Sequence, residues 1–285
     1  MRQTEERYIS LLTDFGFKRI FGTKPNKSLL ISFLNSLFDG EQVIRDVKYL
    51  NSEHVGDVYA ERKAIFDVYC ENEHGEKFIV EMQNAYQTYF KERSLYYATF
   101  PIREQAPKGA EWNFKLEHVY VVALLNYKMS DPAFSADTIN HDVGLLDKST
   151  HRVFNDKLTF KYVEIAKFDK PLDKLRTDFD KWLYVLRNLS RLDRQPQHLQ
   201  NKVFNRLFEE AEIAKFTKTE LREYEDSLKA YRDIKNSLDT AEEKGRAEGR
   251  AEGRAEVAKK LLSMGMSPSD IAEATGLALD EISAL

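Results

Sequence analysis

The sequence predicts an α/β fold in which a helix, three strands, a helix and a strand follow one another, with a charged helical half behind them. Three observations carry that expectation. LLISFLNSLF has apolar residues three and four apart. Two strand-length apolar runs flank the polar turn ENEHGEK. HVYVVALLNY is apolar almost throughout, as a central strand covered on both faces is.

The elements are justified in order. LLTDFGFKRIFG opens with Thr13 or Asp14 as a helix N-cap, and the chain continues through Pro25-Asn26 into an amphipathic helix. Leu29, Leu30, Phe33, Leu34, Leu37 and Phe38 share its apolar stripe, and Gly40 stops it. VIRDVKYLN reads as a first strand. AIFDVYC and KFIVEMQ read as the second and third, joined as a hairpin through His74-Gly75. Tyr86, Tyr89, Phe90, Arg93 and Tyr97 have helical spacing in the next segment. HVYVVALLNY is the fourth strand, LTFKYVEIAKF a further one and DKLRTDFDKWLYVLRNL an amphipathic helix. Residues 200–240 read as more helix, rich in charge.

GRAEGRAEGRAE, from Gly245 to Glu256, repeats one four-residue unit three times. Each Gly weakens a helix by roughly 1 kcal/mol relative to Ala, so a solvated helical spacer is the first reading and a GxxxG-like self-association face the second. The tail holds two short helices around a Gly turn. It resembles a helix-turn-helix, but the second helix, ALDEISAL, lacks the Arg, Lys, Asn or Gln that reads bases, so a packing or oligomerisation cap is expected.

Composition bounds the function. A hydrophobic fraction of 42% with 12% aromatics supports a packed core. The formal charge of −4 combines 43 basic and 47 acidic residues, which argues against a simple nucleic-acid coat but leaves room for a local basic surface. Cys70 is the single cysteine; it excludes an intramolecular disulfide and a Cys-rich zinc site, and its strand-like setting suggests an inert buried thiol. The six histidines show neither HxxxH nor HExxH spacing, and there is no GxxxxGK[ST] loop. With no apolar run approaching a membrane span and no apolar leader, a cytoplasmic protein without membrane contact is expected.

The hairpin carries the chemistry. Burying an ionised carboxylate costs several kcal/mol unless something pairs with it, yet Asp67 lies inside one apolar run and Glu81 inside the other. Residues i and i+2 share a strand face, so Ile65, Asp67 and Tyr69 face one way, as do Ile79, Glu81 and Gln83. If the hairpin pairs with both polar sets on one side, Asp67 and Glu81 converge, and a cation between them relieves their repulsion. Hard oxygen ligands suit Mg²⁺ or Mn²⁺; the Met82 backbone carbonyl is a further candidate ligand, and Gln83 is placed to orient a water or phosphate.

Asp followed across a hairpin by Glu-x-Gln, in this element order, resembles the PD-(D/E)XK nuclease superfamily. The wording of TDFGFKRIFG (13–22), ERKAIFDVYCENEHGEKFIVEMQ (61–83), FKERSLYYATFPIREQ (90–105) and WNFKLEHVYVVALLNY (112–127) is similar to one branch of it, the Rpn family of recombination-promoting nucleases, also described as PD-(D/E)XK-family transposases. The resemblance implies a restriction-endonuclease-like αβββαβ core with a C-terminal helical extension, and a divalent-metal-dependent DNA endonuclease that promotes recombination or descends from a mobile element. By position Asp67 and Glu81 match the acidic motif residues. Gln83 stands where the motif has Lys, replacing a charge by a dipole. Lys63, on the Asp67 face of its strand but ~13 Å along it, Lys18 and Arg93 are candidate DNA contacts, and Asp14 a possible accessory to the site.

The corresponding organisation is a nuclease-like domain over 1–170, a helical region over 171–240, the repeat spacer over 241–256 and a helical cap over 257–285, with a homodimer expected through the helical regions. Three readings compete: a hairpin whose carboxylates simply face water, a catalytically weak or inactive nuclease fold that binds DNA or a protein partner through its helical tail, and an assembly protein driven by that tail.

Overall fold

A computed structural model describes residues 6–54, 64–106 and 112–285. Two compact units divide the chain, Met1–Tyr231 and Arg232–Leu285.

The first unit is built on a six-stranded mixed sheet. Helix α1 (Asp14–Phe21) and helix α2 (Lys27–Phe38) precede strand β1 (Val47–Tyr49). Strands β2 (Glu53–His54) and β3 (Ala64–Ile65) pair with each other in a separate two-stranded sheet. Strand β4 (Val68–Asn72) and strand β5 (Lys77–Gln83) form the expected hairpin, which leads into helix α3 (Phe90–Glu104) and strand β6 (Val119–Leu125). Strands β7 (Asn140–Leu146) and β8 (Val153–Glu164) follow, and the sheet order is β1-β4-β5-β6-β8-β7. The β5–β6 and β6–β8 pairs are parallel and the others antiparallel. Helix α4 (Asp178–Asn188), helix α5 (Lys202–Glu210) and the first turns of helix α6 (Lys218–Ser263) complete the unit.

The sheet separates two cores. Phe78, Val80 and Met82 on β5, with Val122 and Leu124 on β6, pack against α1, α2, α4 and α5 through Phe21, Phe33, Trp182 and Phe204. Ile79, Val121, Ala123 and Leu125 face the other way and meet Phe90 and Ala98 of α3. Covering on both faces is why β6 is a continuous apolar run. Cys70 is fully buried in the first core, and burial pushes its thiol up to about 12, the inert state expected of it.

The local signals explain most boundaries. Thr13, rather than Asp14, caps α1: its hydroxyl accepts from Gly16 N–H, and Asp14 is the first helical residue. A Cβ on Gly16 would lie 2.1 Å from the Ser10 carbonyl oxygen, so only glycine lets the helix start against that loop. Gly75 turns the hairpin at φ +81°, a conformation glycine adopts without steric penalty.

The second strand differs from expectation. AIFDVYC is not continuous: β3 ends at Ile65, Phe66 and Asp67 form a bend, and β4 starts at Val68. The residues around the break have different partners. Phe66 is fully buried and donates its N–H to the Ser52 carbonyl, whereas Ile65 is largely exposed. Asp67 therefore sits where the ladder ends, not inside a strand.

The second unit has a small core of its own, in which Ala258 of α6 meets Ile271 and Ile282. These come from helices α7 (Pro268–Thr275) and α8 (Leu279–Ser283), separated by Gly276 at φ +69°. The GRAE copies lie within α6, and Gly245, Gly249 and Gly253 face open space.

Candidate active site

The register of the hairpin decides whether the carboxylates meet. Val68 pairs with Val80, Tyr69 with Ile79 and Cys70 with Phe78; one step further places Asp67 opposite Glu81. The ladder is closed there by side chains. Asp67 N–H donates to Glu81 Oε1 at 3.1 Å, and Met82 N–H donates to Asp67 Oδ2 at 2.8 Å. The two residues thus fix each other at the mouth of the hairpin.

Neither is well solvated. Glu81 is 6% exposed and the Asp67 side chain 21%. Burial, then the neighbouring Asp67 charge, lifts Glu81 to about 8. Burial also raises Asp67, against the opposing pull of the Met82 N–H and Lys18. Two converging acids that resist ionisation form a site short of positive charge.

Strand geometry turns a third oxygen the same way. Gln83 C=O accepts from Asn126 N–H beyond β6, so successive backbone groups alternate and the Met82 carbonyl faces the Asp67 side, as its N–H does. Asp67, Glu81 and that carbonyl are hard oxygen donors, which fit Mg²⁺ or Mn²⁺ and not a thiolate- or imidazole-seeking metal. Among the described residues there is no cluster of three or more His, Cys, Asp or Glu side chains that could hold a metal, so this site has two side-chain donors at its base.

Helix α1 brings cationic charge to the pair. Lys18 Nζ lies 2.7 Å from Asp14 Oδ1 and 3.9 Å from Asp67 Oδ1. Burial pulls its ammonium down, but the Asp14 hydrogen bond and the charges of Asp14, Asp67 and Glu81 outweigh that, and its pKa rises. Lys18 and Asp14 thus both reach the site. They share an open cleft of about 670 Å³ with Asp67, walled by Arg19 of α1 and by Glu220, Glu223 and Ser227 of α6; Glu81 lies behind Asp67.

On the far side, Gln83 Nε2 donates to Glu81 Oε2 at 3.3 Å, and Gln83 Oε1 accepts from Arg93. Arg93 spends its other terminal nitrogen on Gln87 Oε1 and lies 5.2 Å from the Phe90 ring centroid and 5.7 Å from that of Tyr97. Arg93, a candidate DNA contact from the sequence, is half-buried and bonded to both Gln83 and Gln87. Lys63 lies outside the described residues.

Sequence reasoning missed three contributors. Gln87 and Tyr97 fix Arg93, and the acidic wall of α6 stands across the cleft. A Gln six residues before Arg93 and an aromatic four after it were visible signals; nothing local to α6 marks it as part of a site formed by residues far earlier in the chain.

A mixed sheet with helices on both faces, and two acids converging where a hairpin ends, is the arrangement of a restriction-endonuclease-like nuclease core. The chain belongs to the PD-(D/E)XK nuclease family transposases: that family model matches residues 11–241. No curated protein and no solved structure matches it significantly. Members of such nuclease families act on DNA with divalent metal ions. Among the described residues no helix is long and apolar enough to cross a membrane.

Proposed function

We propose that this protein is a divalent-metal-dependent DNA endonuclease that hydrolyses phosphodiester bonds at the Asp67–Glu81 pair. The observation that carries the reading is the pair itself: two acids locked together by each other's neighbouring N–H groups, one buried and one on the wall of an open cleft. Asp67, Glu81 and the Met82 carbonyl would hold Mg²⁺ or Mn²⁺. Bound there, such an ion supplies Lewis acidity toward a phosphate oxygen and a water of lowered pKa.

The chain's own residues do the rest. On ion binding Glu81 would release its proton to solvent and, with Asp67, present ionised oxygens. Gln83 donates a hydrogen bond that orients the attacking water or a phosphate oxygen. Lys18, on the cleft side, draws a backbone phosphate toward Asp67 and offsets the charge that builds as the bond breaks, with Asp14 holding its ammonium in place. Breaks made this way promote recombination, and descent from a mobile element agrees with the family's description.

Supercoiled plasmid incubated with purified protein in Mg²⁺, Mn²⁺ or EDTA tests the reading, beside a folded Asp67→Ala, Glu81→Ala double variant. Nicking or linearisation that needs the metal and the carboxylates is expected. No cutting by the intact protein overturns it, and salt-dependent DNA binding without cutting moves the assignment to an inactive nuclease fold.

A further inference from the structure

The motif position held by Gln83 ordinarily supplies two things at once, a hydrogen-bond donor and a positive charge. Gln83 supplies only the first. Its orientation is dictated by chemistry: a guanidinium only donates, so the atom facing Arg93 must be the amide oxygen, which turns the amide nitrogen toward Glu81. Arg93 thereby holds the Gln83 amide with its N–H groups turned toward Glu81. Its cation sits directly behind the amide, and polarising the oxygen strengthens the N–H bonds as donors.

Arg93 itself has little freedom. One terminal nitrogen is bound to Gln83 and the other to Gln87, its Nε is buried without a hydrogen-bond partner, and Phe90 and Tyr97 lie beside the guanidinium. A guanidinium whose charge acts on both acids and whose Nε–H is buried without a partner is not the arrangement of a surface arginine placed for solubility. The second cation near the pair, Lys18, approaches Asp67 from the other side, through α1.

We propose that Arg93 and Gln83 together perform the work of the motif lysine, Gln83 as the phosphate-facing donor and Arg93 as the positioning residue that supplies charge through it. The proposal rests on the nuclease reading for its rate effects, but its geometry also affects DNA binding, which can be read without cutting.

The test is rescue. Initial nicking rates on supercoiled plasmid in Mg²⁺ are compared for intact protein, Arg93→Gln, Gln83→Lys and the Arg93→Gln, Gln83→Lys double variant. Anisotropy of a fluorescein-labelled DNA duplex in EDTA is read alongside, and thermal melts establish folding. Arg93→Gln is expected to lose about 10²-fold in rate and several-fold in affinity. The double variant recovers at least about tenfold of that rate, because a lysine at 83 restores donor and charge in one side chain; Gln83→Lys alone gains nothing, since it sets two cations side by side.

A folded double variant as slow as Arg93→Gln overturns the proposal and leaves Arg93 a structural residue. So does an unchanged Arg93→Gln when Lys18→Gln abolishes cutting. If Arg93→Gln does not fold, Gln83→Met serves instead: it keeps the guanidinium and removes the amide, and wild-type nicking by it is equally fatal. If the intact protein does not nick, the nuclease reading fails by itself and affinity decides this proposal: equal binding by intact protein and Arg93→Gln rejects it.

Discussion

Glu81 shows how the site draws on the stability of the fold. A glutamate titrates ordinarily near 4.5, and here burial first, then Asp67, lifts it to about 8. Between those values the folded chain holds a proton that the unfolded chain has released, so stability is greatest below the lower value and is lost as pH rises through the upper one. In EDTA, the melting temperature should fall by about 2–5 °C as pH rises from 5 to 8.5 through this group. Glu81→Gln should remove that part of the slope, and saturating Mg²⁺ should flatten it in the intact protein. Calorimetry across the pH range checks both, and a slope identical in Glu81→Gln would place the titration elsewhere. At the same scale, Asp67→Asn keeps the shape and the Met82 bond but not the charge, and plasmid nicking should drop by at least about 10²-fold with little change in melting.

Elements were legible where a pattern was local. The hairpin, its Gly75 turn, the α2 stripe and the apolar β6 run were all read from spacing, and the register that makes Asp67 oppose Glu81 follows from the pairing of Val68 with Val80. The break at Phe66-Asp67 was not legible, because an apolar run with one acid looks the same whether the acid interrupts the strand or rides on it. Nor was β7, or the first half of β8: Val153 and Phe154 are exposed at 65% and 79%, so no buried face imposes an alternation. The Arg93–Gln83 contact joins a helix to a strand, and only their packing reveals it. Glycines with different surroundings give a paired prediction. Gly16→Ala must displace the Ser10 carbonyl and should destabilise the first unit by about 1–3 kcal/mol, dragging Lys18 out of register. Gly249→Ala meets open space inside a helix and should stabilise α6 by up to about 1 kcal/mol. Thermal melts of the two variants should move in opposite directions.

For the whole molecule, the described residues that form the candidate site all belong to the first unit, from α1, the β4–β5 hairpin, α3 and the opening turns of α6. The second unit has a separate core, Ala258 with Ile271 and Ile282. Removing residues 246–257 in one piece, three GRAE lengths, should therefore leave the nicking rate within about twofold while shortening the helix by about 18 Å. A loss of nicking in a folded deletion would show that the helix's length matters to the site. The central claim, however, is that Asp67 and Glu81 form one cation site. Isothermal titration of the full-length protein with Mn²⁺, beside an Asp67→Asn, Glu81→Gln variant, tests it most directly. The account predicts one Mn²⁺ per chain in the intact protein, proton release on binding at neutral pH, and loss of both in the variant. Equal Mn²⁺ binding by the two proteins, or none by the intact protein, would contradict it.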